Sequence, residues 1–188
     1  MIRGITSATA QKLLLGAGAF YKNFNVNSDT PATASAKLLG ATDGGGTFAV
    51  TNNIRQVSVD GAPNDVKGLK VSDGYTVTLT ANVKEITADN IKLAIGAAST
   101  TSMTSISATK ITGKDIENSD YIDNITWAGT LSGSDKPVYI VIKNALSLNG
   151  LNLTVSDKNE ATLPITINGH YDLSDLDTPP FEVIYPTA

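Results

Sequence analysis

The sequence predicts a mainly β protein with one packed α-helix and a short second helix. Its clearest segment, Tyr75–Val83, alternates strictly between apolar and polar residues, as a strand with one buried face does. Thr, Ser, Asn and Gly are plentiful and charged residues make up only 17% of the chain, which favours paired strands over helical bundles. Helix start and stop signals occur together at only two places.

The composition predicts one domain over residues 1–188. A chain of 188 residues has the size of a single domain, and 41% hydrophobic residues are enough for a core. Aromatic residues contribute only 6%, so Ile, Val, Leu and Ala are expected to build that core. The Ser/Thr-rich stretch Ser99–Thr112 is interpreted as an exposed loop with an irregular strand, and a linker between two domains is the alternative.

The first quarter of the chain predicts an arm, a strand and a short helix. Met1–Lys12 has too few apolar residues to attach to a core and is predicted to be a flexible N-terminal arm. A Gly-interrupted apolar strand follows within Leu13–Val26. A short helix is predicted over Pro31–Leu39, because a threonine precedes it, a proline occupies its first turn and a glycine follows it.

A long hairpin is predicted next. Phe48–Val59 is expected to be a strand whose alternation slips at Asn52–Asn53, which indicates a β-bulge or a strand covered on both faces. Turn-forming residues then predict an extended hairpin loop over 60–71. This loop contains charges of both signs, namely Asp60, Asp65, Lys67 and Lys70. The second strand of the hairpin is Tyr75–Val83.

One α-helix is predicted from Thr87 to Ile95. Thr87 is suited to cap its N-terminus, and Ile86 and Ile91 occupy the positions of a hydrophobic staple. Gly96 is suited to the left-handed residue that ends a helix. Because apolar helix residues must be covered, Ile91 and Ile95 are expected to pack against a sheet.

Four further strands are predicted in the C-terminal half of the chain. They cover Tyr121–Thr130, Val138–Ile142, Leu146–Val155 and Thr162–Gly169. Pro164 lies in the last of them and has no N–H to donate to a neighbouring strand. It is therefore expected at a sheet edge or a bulge.

The composition also bears on the class of function. The chain has no Cys, which leaves no disulfide, thiol nucleophile or thiolate metal site. Its net charge of −4 argues against a nucleic-acid-binding domain. The N-terminal apolar run Leu13–Leu15 is too short for a signal peptide, and no run approaches the roughly 20 residues that cross a membrane. We therefore expect the protein in the cytoplasm of the cell that makes it, without a membrane partner.

No catalytic residue, metal site or cofactor is predicted. The stretches Gly16–Gly18 and Gly44–Gly46 lack the Lys-Ser/Thr ending of a phosphate-binding loop, so we interpret them as turns or places of close packing. His170 is the single histidine, and without a nucleophile elbow near Ser174 it is interpreted as structural. Two acidic groups do not follow the order of a calcium loop and are interpreted as turns: Asp172, Asp175 and Asp177, and Asp115, Glu117, Asp120 and Asp123.

A succession of short motifs runs along most of the chain. LLLGAGAFYKNFNV begins at Leu13, LLGATDGGGT at Leu38 and IRQVSVDGAPNDVKGL at Ile54. VKEIT then leads into the helix, and KNAL, GLNL, KNEATLPITI, GHYD and PPFEVIYP follow toward the C-terminus. This order resembles that of the tail tube proteins, the major tail proteins of long-tailed bacteriophages. The resemblance extends from about Leu13 to Tyr185 and is weakest across Ser99–Asn118.

The resemblance implies a structural virion protein without chemistry of its own. The implied fold is a pair of packed antiparallel β-sheets, in a β-sandwich or barrel-like arrangement, flanked by a helix. Subunits of this family form hexameric rings, whose inner sheets join into a barrel around a channel, and the rings stack into a tube for DNA ejection. The implied partners are further copies, the tape measure, tail terminator and distal tail proteins, and DNA in transit without specific binding. The implied location is the virion tail, after assembly in the host bacterial cytoplasm.

Two alternatives to a non-contractile, siphovirus-type tail tube stay open. The tube subunits of contractile injection systems, including type VI secretion tubes, are similar to this family. A β-sandwich binding module, such as an adhesin or carbohydrate-binding domain of a larger surface protein, is the alternative from another class.

Two sets of residues are predicted to carry the implied function. Sliding DNA must not be held by cations, so the neutral polar face of Tyr75–Val83 is expected to line the channel. That face consists of Thr76, Thr78, Thr80 and Asn82. Stacking between rings is expected from the charges of the hairpin loop, Asp60, Asp65, Lys67 and Lys70, which can pair with a neighbouring ring. The N-terminal arm is the second candidate for stacking.

Overall fold

Ten strands and one α-helix form a β-sandwich-like fold in the computed structural model, which describes residues 4–187. The mainly β fold class with one flanking helix is thus confirmed. The elements are β1 (Leu14–Lys22), β2 (Thr42–Gln56), β3 (Lys70–Val83), α1 (Ala88–Ile95), β4 (Ala98–Met103), β5 (Ala108–Gly113), β6 (Ile122–Leu131), β7 (Pro137–Ser147), β8 (Thr154–Ser156), β9 (Asn159–Gly169) and β10 (Phe181–Ile184).

The strands form two antiparallel layers that share β7. The first layer contains β1, β6, most of β7 and β10. The second contains β2, β3 and β9, and β9 joins the end of β7 at Leu146 and Ser147. The short β8 pairs with the start of β9, and β4 pairs only with β5. Because β7 passes from one layer to the other, the strand order is β1-β6-β7-β9-β3-β2, with β1 and β2 at the edges.

One apolar core lies between the two layers. The alternation predicted for β3 is confirmed, since its apolar residues are buried and the polar residues between them are at least partly exposed. The inward-facing residues of the second layer are Val77, Leu79, Ala81, Val83, Leu163, Ile165 and Ile167, and they meet Phe20, Ile125, Trp127 and Ile142 of the first layer. The core is therefore mainly aliphatic, with two large aromatic side chains added.

The β2–β3 hairpin differs in detail from its prediction. β2 begins at Thr42, six residues before Phe48, and it ends at Gln56. The predicted slip is a real irregularity, because Asn52 pairs with Tyr75 whereas Ile54 pairs with Ser72. The extra residue therefore lies on β3, next to Gly74, whose φ is 102°. The predicted bulge is confirmed, although it belongs to the partner strand.

Two predictions of strand and loop in the second half are wrong. Ser99–Thr112 is neither a loop nor a linker, because β4 and β5 pair over six positions as a hairpin. Apolar alternation could not reveal it, since nearly all of its residues are exposed on both faces. Conversely, most of Leu146–Val155 is not a strand. The chain leaves β7 after Ser147 and turns at Gly150, whose φ of 72° suits glycine.

The predicted helix over Pro31–Leu39 is also wrong. Thr30 and Thr33 exchange backbone and hydroxyl hydrogen bonds as capping residues do, yet only a three-residue 3-10 helix, Ser35–Lys37, follows. The reason lies in β1. The Leu39 N–H donates to the Phe20 carbonyl at 2.8 Å, and Leu38 forms a β-bridge with Tyr21. These contacts hold the end of the segment in an extended conformation.

Helix α1 begins as predicted and presents a different face. The Thr87 hydroxyl oxygen accepts the Asn90 N–H at 3.2 Å. The buried side chains are Asn90, Leu93 and Ala94. Ile91 is half-buried and packs against the core as predicted, whereas Ile95 is half-buried without belonging to the core cluster and Ile86 is exposed. The side-chain amide of Asn90 donates to the carbonyls of Leu39 and Glu85, at 2.8 and 2.9 Å. These two hydrogen bonds hold the Asn90 side chain toward the core. Leu93 and Ala94, three and four positions later, lie on the same face of the helix and are therefore buried as well.

Thr87→Ala is expected to lower the free energy of unfolding by about 1 kcal/mol, because the Asn90 N–H loses its cap. Chemical denaturation followed by circular dichroism measures the change. Thr104→Ala, at an exposed threonine of the β4–β5 turn, is the matched control and should change stability by less than about 0.5 kcal/mol. Equal stability of both variants would contradict the capping role.

Candidate assembly surfaces

The two edge strands of the sheet each have one side without a partner strand among residues 4–187. β2 is 15 residues long, and its two charged residues, Asp43 and Arg55, lie close to its ends. Residues 46–52 pair regularly with β3 and include neither charge nor proline. Monomeric proteins usually protect such edges with Lys, Pro or bulges, so this part of β2 is an unprotected edge.

Both Gly-rich stretches form β-bulges at the same end of the sandwich. In β1 two extra residues lie between Leu15 and Ala19, and in β2 two lie between Thr42 and Gly46. A Cβ atom at Gly18 would lie 2.4 Å from the indole nitrogen of Trp127, so only glycine fits there. That nitrogen donates to the carbonyl of Ala17 at 2.8 Å. A Cβ atom at Gly46 would likewise lie 2.3 Å from the Thr80 carbonyl oxygen. Close packing is therefore confirmed at Gly18 and Gly46, whereas Gly16, Gly44 and Gly45 have positive φ angles, as glycines in turns do.

The predicted polar face of β3 points away from the core and is larger than expected. Thr76 and Asn82 are exposed, and Thr78 and Thr80 are partly exposed. Because paired residues of neighbouring strands lie on the same face of a sheet, the face continues onto β2 and β9. We name it the neutral face; its members are Thr47, Ala49, Thr51, Thr76, Thr78, Thr80, Asn82, Pro164, Thr166 and Asn168.

No member of the neutral face is charged. Two of its hydroxyl groups on β3 accept hydrogen bonds from β2. The Thr47 N–H donates to the Thr80 hydroxyl at 3.3 Å, and the Asn53 side-chain amide donates to the Thr76 hydroxyl at 3.1 Å. The structure thus brings three strands of small polar residues together into one surface without cations. Only the β3 residues of this face were predicted from the sequence. Thr166 and Asn168 alternate with apolar residues in the same way, but their pairing with β3 joins positions far apart in the chain.

The charged residues proposed for stacking lie in and beside the hairpin loop. The loop between β2 and β3 spans residues 57–69, so Lys70 and Val71 belong to β3, which corrects the predicted range of 60–71. Lys70 forms an ion pair with Asp65 of the same subunit at 2.8 Å, which lowers the pKa of Asp65. Asp60 and Lys67 are exposed and form no ion pair within residues 4–187. In the loop, these two charges are therefore the ones that no ion pair within residues 4–187 neutralises.

The N-terminal arm is only partly covered by the structure, since Met1 to Arg3 lie outside the described residues. Residues 4–12 form a turn and a 3-10 helix, Thr9–Lys12. The hydroxyl of Ser132 donates to the carbonyl of Ala10 and accepts the N–H of Leu13. The end of the arm is therefore attached to the turn between β6 and β7.

A cleft lies beside His170, directly after the end of β9. It has a volume of about 700 Å³ and is bordered by β7, β10 and the segment after β9. His170 Nδ1 lies 2.9 Å from the carbonyl oxygen of Asn144, while the Ser174 hydroxyl donates to Asp172 at 2.6 Å. Lys143 and Glu182 form an ion pair across the cleft. His170 thus has the structural hydrogen bond at the end of a strand that was predicted for it.

The acidic groups are engaged in local hydrogen bonds and ion pairs. Glu117 and Asp120 both bind Lys114, whose hydrogen bonds lower the pKa of each carboxyl group. Asp172 and Asp175 accept hydrogen bonds from residues two or three positions later. Within residues 4–187 no group of three or more acidic or histidine side chains is placed to hold a metal ion.

The aromatic residues Trp127 and Tyr121 do not form a pair. Trp127 is buried in the core, whereas the Tyr121 ring meets the His170 ring edge-on, with centroids 5.1 Å apart.

Neither the models of known protein families nor the sequences of curated proteins match this chain. In the part of the chain that the structure describes, no helix is long and apolar enough to span a membrane.

Proposed function

We propose that this protein is the structural subunit of a bacteriophage tail tube, and that it assembles into hexameric rings stacked around a channel for DNA. The neutral face is the single observation that carries the proposal. It offers a broad surface of small, uncharged polar side chains over three adjacent strands. Each Lys or Arg that contacts phosphate adds affinity through counterion release, so a channel for sliding DNA should lack such contacts.

The unprotected edge of β2 supports the assembly part of the proposal. When subunits are arranged in a ring, an edge strand of one subunit can lie beside the other edge strand of the next, and closure removes both edges. β1 and β2 are at opposite ends of the strand order, as head-to-tail closure requires. The neutral face, which includes the outward-facing residues of β2, would then line the inside of the ring.

A carbohydrate-binding module is less well supported. Such modules commonly present aromatic side chains on an exposed surface. The chain has four Phe, six Tyr and one Trp, all within residues 4–187, and Tyr185 is the only one that is largely exposed. No aromatic platform is therefore present in the described part of the chain.

Sedimentation of the purified protein over a range of concentrations tests the proposal. We expect a species of six 19.6 kDa subunits, with larger particles at high concentration. A monomer at every concentration would contradict the proposal and favour a binding module.

The double variant Thr78→Lys with Thr80→Lys is expected to give assemblies that bind duplex DNA in low salt, whereas wild-type assemblies bind it weakly. The two lysines would face the channel and release counterions from DNA, so binding should fall steeply with added salt. Fluorescence anisotropy of a labelled duplex measures this. Ser35→Lys with Ala36→Lys adds the same charge at exposed positions away from the neutral face. Equal DNA binding by both double variants would contradict the placement of the neutral face in the channel.

A further inference from the structure

The dipeptide Asn-Gly occurs twice in the chain, as Asn149–Gly150 and as Asn168–Gly169. Asparagine is among the thermolabile residues of proteins, because the backbone nitrogen of the next residue can attack its side-chain carbonyl carbon. Glycine in the next position hinders that attack least, since it has no side chain. The two dipeptides are identical, so a difference in their reactivity must come from their structural surroundings.

The first Asn-Gly dipeptide lies in an open turn. It comes after the end of β7 at Ser147 and before β8, and the Asn149 side chain is exposed. Gly150 has a φ of 72°, and a Cβ atom placed on it would meet no atom beyond its chain neighbours within 4 Å. Within residues 4–187 the Gly150 N–H forms no backbone hydrogen bond. Neither a sheet ladder nor close packing therefore holds this peptide bond away from the geometry that ring closure requires.

The second Asn-Gly dipeptide is held in the sheet. Asn168 of β9 pairs with Thr78 of β3 and with Leu146 of β7. A Cβ atom at Gly169 would lie 2.7 Å from a methyl carbon of Ile142, so the backbone is closely packed there. A succinimide ring fixes the backbone torsion ψ of the asparagine far from the value of about +135° that antiparallel strands have. Asn168 can therefore react only after β9 has opened locally.

We propose that Asn149 is a site of spontaneous deamidation, at which the folded protein forms isoaspartate and aspartate. The Gly150 nitrogen attacks the side-chain carbonyl carbon of Asn149, and the side-chain amide leaves as ammonia with the proton of the Gly150 N–H. Water then adds to one carbonyl of the succinimide and breaks its bond to nitrogen. Attack at the backbone carbonyl gives isoaspartate, and attack at the side-chain carbonyl gives aspartate. Water is the only co-reactant, and the chemistry is independent of assembly into rings.

The modification changes the surface around Asn149 and leaves the core intact. The new carboxylate lies in the sequence between the exposed residues Leu148 and Leu151, and it changes the net charge of the chain from −4 to −5. Isoaspartate also adds one methylene group to the backbone. The buried contact before the turn is kept, because the Ser147 hydroxyl donates to the Ala94 carbonyl at 2.8 Å. The chain therefore gains a second chemical form with the same fold.

Ageing of the purified protein in warm, mildly alkaline buffer tests the proposal, since hydroxide promotes removal of the proton from the glycine N–H. Peptide mapping by mass spectrometry measures the loss of the amide at each asparagine, and protein L-isoaspartyl methyltransferase detects isoaspartate. We expect Asn149 to deamidate at least about tenfold faster than Asn168, because only locally opened molecules can react at Asn168. Asn152 is exposed in the same segment but precedes a leucine, so it should also react more slowly. Equal rates at Asn149 and Asn168 in the folded protein would overturn the proposal.

The same chain unfolded in guanidinium chloride is the control for the effect of the fold. There the two Asn-Gly dipeptides should react at similar rates. Asn149→Gln should leave the circular dichroism spectrum unchanged, because the side chain is exposed, and should remove most of the acidic form that anion-exchange chromatography separates from the aged wild type. Glutamine would have to close a six-membered ring, which is much slower. Acidic form from Asn149→Gln at the wild-type rate would contradict the assignment, as would an Asn149 that reacts only in the unfolded chain.

Discussion

Ile165→Ala is expected to lower the free energy of unfolding by about 2–5 kcal/mol, which makes it the most destabilising substitution considered for this protein. Ile165 lies in the middle of β9, is 2% exposed and pairs with Ala81 of β3. Its side chain lies in the core between the two layers, where neighbours can only partly fill the cavity that truncation leaves. Urea denaturation followed by circular dichroism measures the loss.

Ile106→Ala provides the control for this prediction. Ile106 lies at the tip of the β4–β5 hairpin and is 66% exposed, so the same truncation should change stability by less than about 0.5 kcal/mol. If both variants lost the same stability, Ile165 would not lie in the core and the two-layer arrangement would be wrong.

Ala49→Lys with Thr51→Lys is expected to abolish assembly while the subunit stays folded. Both residues are exposed and lie on the unprotected edge strand β2. Lysines on an edge strand hinder its pairing with the edge strand of another subunit, which is how many monomeric proteins protect such edges. Sedimentation should therefore give a monomer at concentrations at which the wild type assembles.

The matched control is again Ser35→Lys with Ala36→Lys, which adds the same charge away from the edge. We expect it to assemble as the wild type does, so a general effect of net charge can be separated from an effect at the edge. Normal rings from the β2 double variant would show that this edge takes no part in ring closure.

The parts of the fold that could be predicted are those that depend on residues close together in the sequence. The alternation in β3 depends on which residues face the core, and the cap at Thr87 depends on residues one turn away, so both were visible in the sequence. The Pro31–Leu39 segment has equally clear local signals and is nonetheless extended at its end. There the hydrogen bond from Leu39 to Phe20 decides the conformation, and it joins positions that local patterns cannot relate.

The candidate surfaces show the same difference between short-range sequence patterns and contacts that join distant positions. The β3 part of the neutral face could be predicted from alternation, but its extension over Thr51 and Thr166 depends on which strands pair. The charges of the hairpin loop were visible, whereas the pairing of Asp65 with Lys70 depends on how the loop folds back.

Negative-stain electron microscopy of the purified wild-type protein at high concentration tests the central claim most directly. We expect rings of six subunits with a central channel, and stacks of these rings that form tubes. Because the structure places charge-free polar residues on one face beside an unprotected edge strand, the channel should be present in every ring. A field of uniform particles of the size of one 19.6 kDa subunit, at all concentrations, would contradict the proposed function.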